Sequence, residues 1–174
     1  MRTTILHPLR RAKALAAASL CLGLGAAHAD PAGMLETIHK HKFLTTTVTD
    51  NGDLNPYAVV VAPASAGVIE KDDVLIDNFN NISNLQGTGT SIVRYHPATK
   101  ETTLFAQVSQ HLKSCPGGVG LTTAMTMLKS GWVIVGSMPS TDGTTRTKGQ
   151  GCMLVFDANG HHVSTWTDKT IDGP

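Results

Sequence analysis

The stretch GVGLTTAMTMLKSGWVIVGSM, residues 118–138, holds two apolar, β-branched runs split by the turn signal Lys129-Ser130-Gly131. The same pair of runs stands some sixty residues upstream, as YAVVVAP (57–63) and DVLIDNF (73–79). Each pair leads into a second pair. TSIVRYHP (90–97) and ETTLFAQV (101–108) follow the first; CMLVFDANG (152–160) and HHVSTWTD (161–168) follow the second. In 90–97, Ile92 and Arg94 alternate with Val93 and Tyr95. Alternation of this kind, between clusters of Gly, Asn, Asp, Pro and Ser, predicts eight short strands.

The spacing carries the inference further. Val74 to Val133 is 59 residues, Leu104 to Val163 is 59, and Ile92 to Leu154 is 62. Pro56, Pro116 and Pro174 punctuate the chain at intervals of 60 and 58. A four-stranded unit recurring in this way predicts an all-β protein made of antiparallel blades of the β-propeller type, with a single β-sandwich as the alternative. The blades fall at about 50–112 and 113–169, within a region spanning 47–174, and TIDGP (170–174) reads as the turn that introduces a third. Propellers close with four to eight blades, so two form an incomplete ring. The remaining blades, or another copy, are expected to complete it.

Ahead of the blades, residues 1–29 read as a signal peptide. Arg2, Arg10, Arg11 and Lys13 precede the apolar run from Ala14 to Ala27, and Ala27-His28-Ala29 forms a small-x-small cleavage site. The apolar run is too short for a typical membrane span. Residues flanking Arg10-Arg11 fit Sec export better than twin-arginine export, and Leu20 before Cys21 does not fit a lipobox. The chain is therefore expected to be exported, to a periplasm or beyond, without membrane insertion after cleavage. Residues 30–46 form a lead-in segment, weakly helical or extended.

Removing the leader takes away four of the 14 basic residues and none of the 13 acidic ones, leaving 10 − 13 = −3. Nucleic-acid binding needs clustered cations that replace phosphate counterions, and no cluster is present. Two cysteines remain, Cys115 and Cys152. In an exported chain an even pair reads first as a disulfide, with two free thiols as the alternative.

On a propeller, the loops joining second to third strands share a rim with the connections between blades. The long polar loops NNISNLQGTG (80–89) and PSTDGTTRTKGQG (139–151) mark that rim as the binding face. Asn80, Asn84, Gln86, Thr141, Asp142 and Arg146 are its candidate ligand contacts. Asp77, Asn78 and Asn80 are hard oxygen donors suited to Ca²⁺ or another divalent cation. Asn-rich turns equally satisfy their own backbone, and the same holds for Asp50, Asp53 and Asn55. His39, His41, His161 and His162 lack the convergent partners zinc requires and read as exposed. No Ser/His/Asp triad assembles, because Ser137 lacks the G-x-S-x-G turn before a helix.

The segments NPYAVVVAP, VLIDNFNNISNLQGTGTSIVRYHP, CPGGVGLTTAMTMLKSGWVIVGSMPSTDGT and GCMLVFDANG together resemble exported bacterial proteins of the NHL-repeat, six-bladed propeller type. The resemblance covers most of residues 50–174 and is most specific at SNLQGTGT and CPGGVGLT. It implies a chain that continues through further blades. The wider superfamily includes streptogramin lyases, gluconolactonase-like hydrolases and binding scaffolds. Two functions follow as expectations. One is an exported scaffold that binds a small molecule, glycan or protein partner through the long-loop rim. The other is a metal-dependent hydrolase or lyase whose active site is completed by other blades. A third expectation is a truncated chain without activity of its own.

Overall fold

The computed structural model describes residues 33–174; the predicted signal peptide lies outside the described residues. The chain divides into two units, Met1–Lys42 and Phe43–Pro174. In the described part of the first, a single 3-10 turn spans Met34–Thr37 and gives way to extended backbone. Among the described residues no helix is long and apolar enough to cross a membrane.

The second unit contains eight strands: β1 (Leu54–Val61), β2 (Val74–Asn80), β3 (Ser91–His96), β4 (Glu101–Gln107), β5 (Leu121–Met127), β6 (Val133–Ser137), β7 (Cys152–Phe156) and β8 (His162–Trp166). They form two four-stranded antiparallel sheets, ordered β1-β2-β3-β4 and β5-β6-β7-β8, which do not close into a ring. All eight predicted strands are present. β1 starts earlier than expected and runs through Pro56, which an edge strand tolerates because its outward amide needs no partner. β5 starts later, since Gly118–Gly120 belong to the connection between the sheets.

Residue pairing shows how the sheets meet. In the first, Val74 pairs with Tyr95 and Ile76 with Val93, putting these four on one face; Leu75 and Ile92 lie on the other. In the second, Val133 pairs with Phe156 and Val135 with Leu154. The core joins Leu75 and Ile92 to Val133, Val135, Leu154 and Phe156, all fully buried. Ile76, Val93 and Tyr95 form a separate buried patch. Val133 and Val135 stand 59 residues after Val74 and Ile76, yet they occupy the interface while their counterparts face away from it. The sheets are therefore stacked head to tail, front of one against back of the next. Each fully buried aliphatic side chain here contributes roughly 1.5–3 kcal/mol.

Head-to-tail stacking leaves a face of each sheet without a neighbouring sheet. On β1, Val59 and Val61 pair with Ile76 and Val74, and they are 60% and 58% exposed. Their counterparts on β5, Met125 and Met127, pair with Val135 and Val133 and pack into the core. At the far side of the second sheet, Ile134 and Met153 are only half-buried and Trp166 is exposed.

The recurrence is not of one length. Register equates Val93 with Leu154, an offset of 154 − 93 = 61, and Leu104 with Thr165, also 61. The expected pairs Ile92–Leu154 and Leu104–Val163 are displaced from this register. The inner strands differ by 125 − 59 = 66, because the β1–β2 connection is longer than the β5–β6 turn.

Residues 43–49 cross the otherwise open face of the first sheet. Thr45, Thr47 and Thr49 are half-buried, whereas Leu44, Thr46 and Val48 are exposed. The Thr45 hydroxyl meets that of Thr102 at 2.5 Å. Asn78 Nδ2 donates to Thr47 O (2.7 Å) and to Ser91 Oγ (3.1 Å).

Candidate functional site

Three loops meet at the end of the sheets where β2 and β6 finish. They are the β2–β3 loop, the β4–β5 connection and the β6–β7 loop. Backbone hydrogen bonds interlock them: Ser140 N donates to Gly87 O (2.9 Å), Leu121 N to Gly89 O (3.0 Å) and Met138 N to Gly120 O (2.8 Å). Gly120 sits where these backbones touch, and a Cβ there would lie 2.0 Å from Gly87 O. The disulfide Cys115–Cys152 links the β4–β5 connection to the start of β7, with the Sγ atoms 2.07 Å and the Cα atoms 5.6 Å apart. Both cysteines are buried.

The loops enclose an open cleft of about 600 Å³, a size that suits a small ligand. One wall is the β2–β3 loop with Asn81 and Thr88, and another is the β6–β7 loop with Ser140, Thr141 and Thr147. Gln110, His111 and Lys113 come from the connection, as does Cys115. Local bonds hold the polar groups in place. Gln110 Nε2 donates to Thr88 O at 2.8 Å, and Thr88 Oγ1 accepts from Asn81 N at 2.9 Å. Ser140 Oγ donates to Thr144 O (3.1 Å), accepts from Gly143 N (3.0 Å) and lies 2.9 Å from Thr147 Oγ1. Such cross-links make the walls a preformed surface.

The cleft lies among the long loops, and the six predicted ligand contacts are distributed as follows. Of the six predicted contacts, Thr141 lines the cleft. Asn80 and Asn84 bond each other, Nδ2 to Oδ1 at 2.6 Å, and so brace their own loop. Gln86 lines a separate recess of about 60 Å³ with Phe79, Met138 and Lys148. Asp142 is spent inside its loop, accepting from Thr147 Oγ1 (2.5 Å) and Thr144 N (2.8 Å); these bonds, that from Thr147 foremost, hold its carboxyl below the usual range. Arg146 is exposed on the 3-10 turn Thr145–Thr147 and lines neither cavity. Gln110, His111 and Lys113 escape the sequence-based expectation. The signal for them is the expectation that connections between blades share the rim, which covers the β4–β5 connection that carries all three.

The three residues of the predicted cation site are divided between the two faces of β2. Asp77 points to the opposite face of β2 from Asn78 and Asn80, as neighbours on a strand must. Asn78 anchors the 43–49 segment and Asn80 braces a loop, so the three oxygens do not converge. Asp77 lies opposite the β-bulge between Pro56 and Val59, and its Oδ1 accepts the Ala58 N–H at 2.7 Å. Its Oδ2 is buried with no hydrogen-bond partner. Burial outweighs the Ala58 bond and pushes this carboxyl up to about 7. Among the described residues no group of three or more His, Cys, Asp or Glu side chains is arranged to hold a metal.

Asp53, read as a turn former, is buried, and its Oδ2 accepts Thr90 N (2.8 Å) and Thr90 Oγ1 (2.9 Å). A second polar cluster sits at the end of the first sheet remote from the cleft. There the buried Asp73 meets His96 Nδ1 at 2.5 Å, Arg94 Nε at 3.8 Å and Glu70 N at 2.8 Å. Its oxygens are all taken up in holding β2 to β3 and to the turn before β2.

No family model matches the chain, and no curated protein matches it.

Proposed function

We propose that the chain is part of an exported β-propeller of the NHL-repeat type and binds a small polar molecule or short glycan through its long-loop rim. The observation that carries the binding is the cleft of about 600 Å³, built by three interlocked loops at one end of a rigid β scaffold. Polar loops on such a scaffold are where recognition is concentrated.

Head-to-tail stacking supports the propeller assignment. An interface between front and back repeats by rotation, and a ring results when the rotation closes. The open faces at Val59 and Val61, and at Ile134 and Met153, are the places where further sheets would seat. Those sheets belong to a longer polypeptide or to other copies of the chain. Export is supported by the leader's basic and apolar segments and by the cysteine pairing, which persists in oxidising compartments.

Replacing residues 140–148 by a Gly-Ser linker of equal length tests the reading. The variant is expected to fold and to lose binding in a screen of sugars and small metabolites against the parent chain. Unchanged binding would place recognition elsewhere.

A further inference from the structure

Building on the proposed rim site, we infer that the cleft takes a small ligand carrying an oxyanion next to neutral hydroxyl or amide groups. Among the residues that line it, only His111 and Lys113 can carry charge, and both favour a negative partner. Among the described residues no carboxylate lines the cleft. Asp142, the nearest acidic residue in sequence to its walls, is held by Thr144 and Thr147 within its own loop. Among the described residues, neither His111 nor Lys113 forms an ion pair, so both side chains are free to meet an incoming anion.

The rest of the lining is neutral and polar. Ser140, Thr141 and Thr147 bring hydroxyls, while Asn81 and Gln110 bring amides. Among the described residues no Phe, Tyr or Trp lines the cleft, so a nucleobase or flat apolar ligand would find only the His111 imidazole to stack on. A cation wall facing a hydroxyl wall matches a polyol that bears one carboxylate or phosphate. Lysine serves such a group as a point charge, without the paired geometry of arginine.

Glucuronate, glucose 6-phosphate and glucose separate the possibilities, because they share a ring and differ in the anionic group. Each is titrated into the chain by calorimetry, with amide shifts recorded in parallel. One or both anions are expected to bind at least about tenfold tighter than glucose, equivalent to roughly 1.4 kcal/mol. Preference between the two identifies carboxylate or phosphate as the source. The preference should shrink in the double variant Lys113→Gln, His111→Gln, and as salt rises. Both side chains are exposed, so the variant should keep the parent's melting temperature. Equal binding of all three sugars at the cleft overturns this inference and leaves the rim reading standing. Absence of binding by both anions also overturns it; the rim reading falls only if the 140–148 replacement leaves binding in the wider screen unchanged.

Discussion

Asp77 and Gly136 occupy the same place in successive sheets, 136 − 77 = 59 residues apart, and each faces a bulge in the strand beside it. At Asp77 a carboxylate fills the space and takes the amide of Ala58 (2.7 Å). At Gly136 no side chain fits, since a Cβ would lie 2.7 Å from Thr122 Oγ1 and 2.9 Å from Pro174 O. Thr122 Oγ1 occupies that space and donates to Pro174 O at 2.7 Å. Two repeats thus solve one backbone irregularity with different chemistry, and the first solution leaves a titratable group in the core.

Stability should therefore depend on pH through Asp77. Its carboxyl is raised from 3.8 to about 7. Below the unfolded value both states hold the proton and Asp77 adds no penalty. As pH rises from about 4 to 7 the unfolded chain ionises first, so folding stability falls, levelling off above the folded value. The full loss is of the order of 4 kcal/mol, since each pH unit between the two values costs about 1.36 kcal/mol. Asp77→Asn keeps an acceptor for Ala58 and removes the titration. Urea midpoints at pH 5 and pH 8 should then converge, with the gain over the parent seen at pH 8.

The disulfide should stabilise the scaffold and the cleft wall together. Cys115 and Cys152 are separated by 37 residues, and closing a loop of that size is worth roughly 4 kcal/mol on the chain-entropy account. Cys115→Ser with Cys152→Ser should lower the urea midpoint accordingly, and reductant should do the same to the parent but leave the double variant unaffected.

Gly120→Ala should damage the rim more than a methyl group ordinarily would. The Cβ would meet backbone at 2.0 Å, with no flexible side chain to yield. A loss of about 1–3 kcal/mol is expected, together with weaker ligand binding and faster amide exchange at Gly87 and Ser140.

Asp73→Asn provides the contrast. It weakens the contacts to His96 and Arg94 in a buried setting, where an unpaired partner is costly. Stability should drop by about 2 kcal/mol or more, while affinity at the cleft stays unchanged, because the cluster lies at the other end of the sheet.

Most of the fold is legible in the sequence because strand signals are local. Runs such as VVV at 59–61 and VIV at 133–135 are β-branched, and turn residues bound them. Facing is not local. The sequence pairs Ile92 with Leu154 by apolar character, yet register sets Val93 in that place, and only the hydrogen-bonded partners reveal it. The site shows the same limit. Long polar loops announce a rim, but whether Asn80 or Gln110 faces a ligand depends on which side chain the loop needs for itself. Asn84 claims Asn80, and Asp142 is claimed by Thr147. Asp77 departs from expectation for the same reason. Its neighbours in sequence are oxygen-rich, whereas its neighbours in space are a bulge amide and the core.

Recognition in the cleft formed by the three rim loops is tested most directly by mapping amide shifts with the sugar and metabolite panel. Perturbations are expected to concentrate at Thr88, Gln110, Gly117, Ser140 and Gly149, with little change at the remote end around Asp73 and His96. Perturbations centred on that remote end, or on the open faces at Val59 and Ile134 with the rim silent, would contradict a rim site.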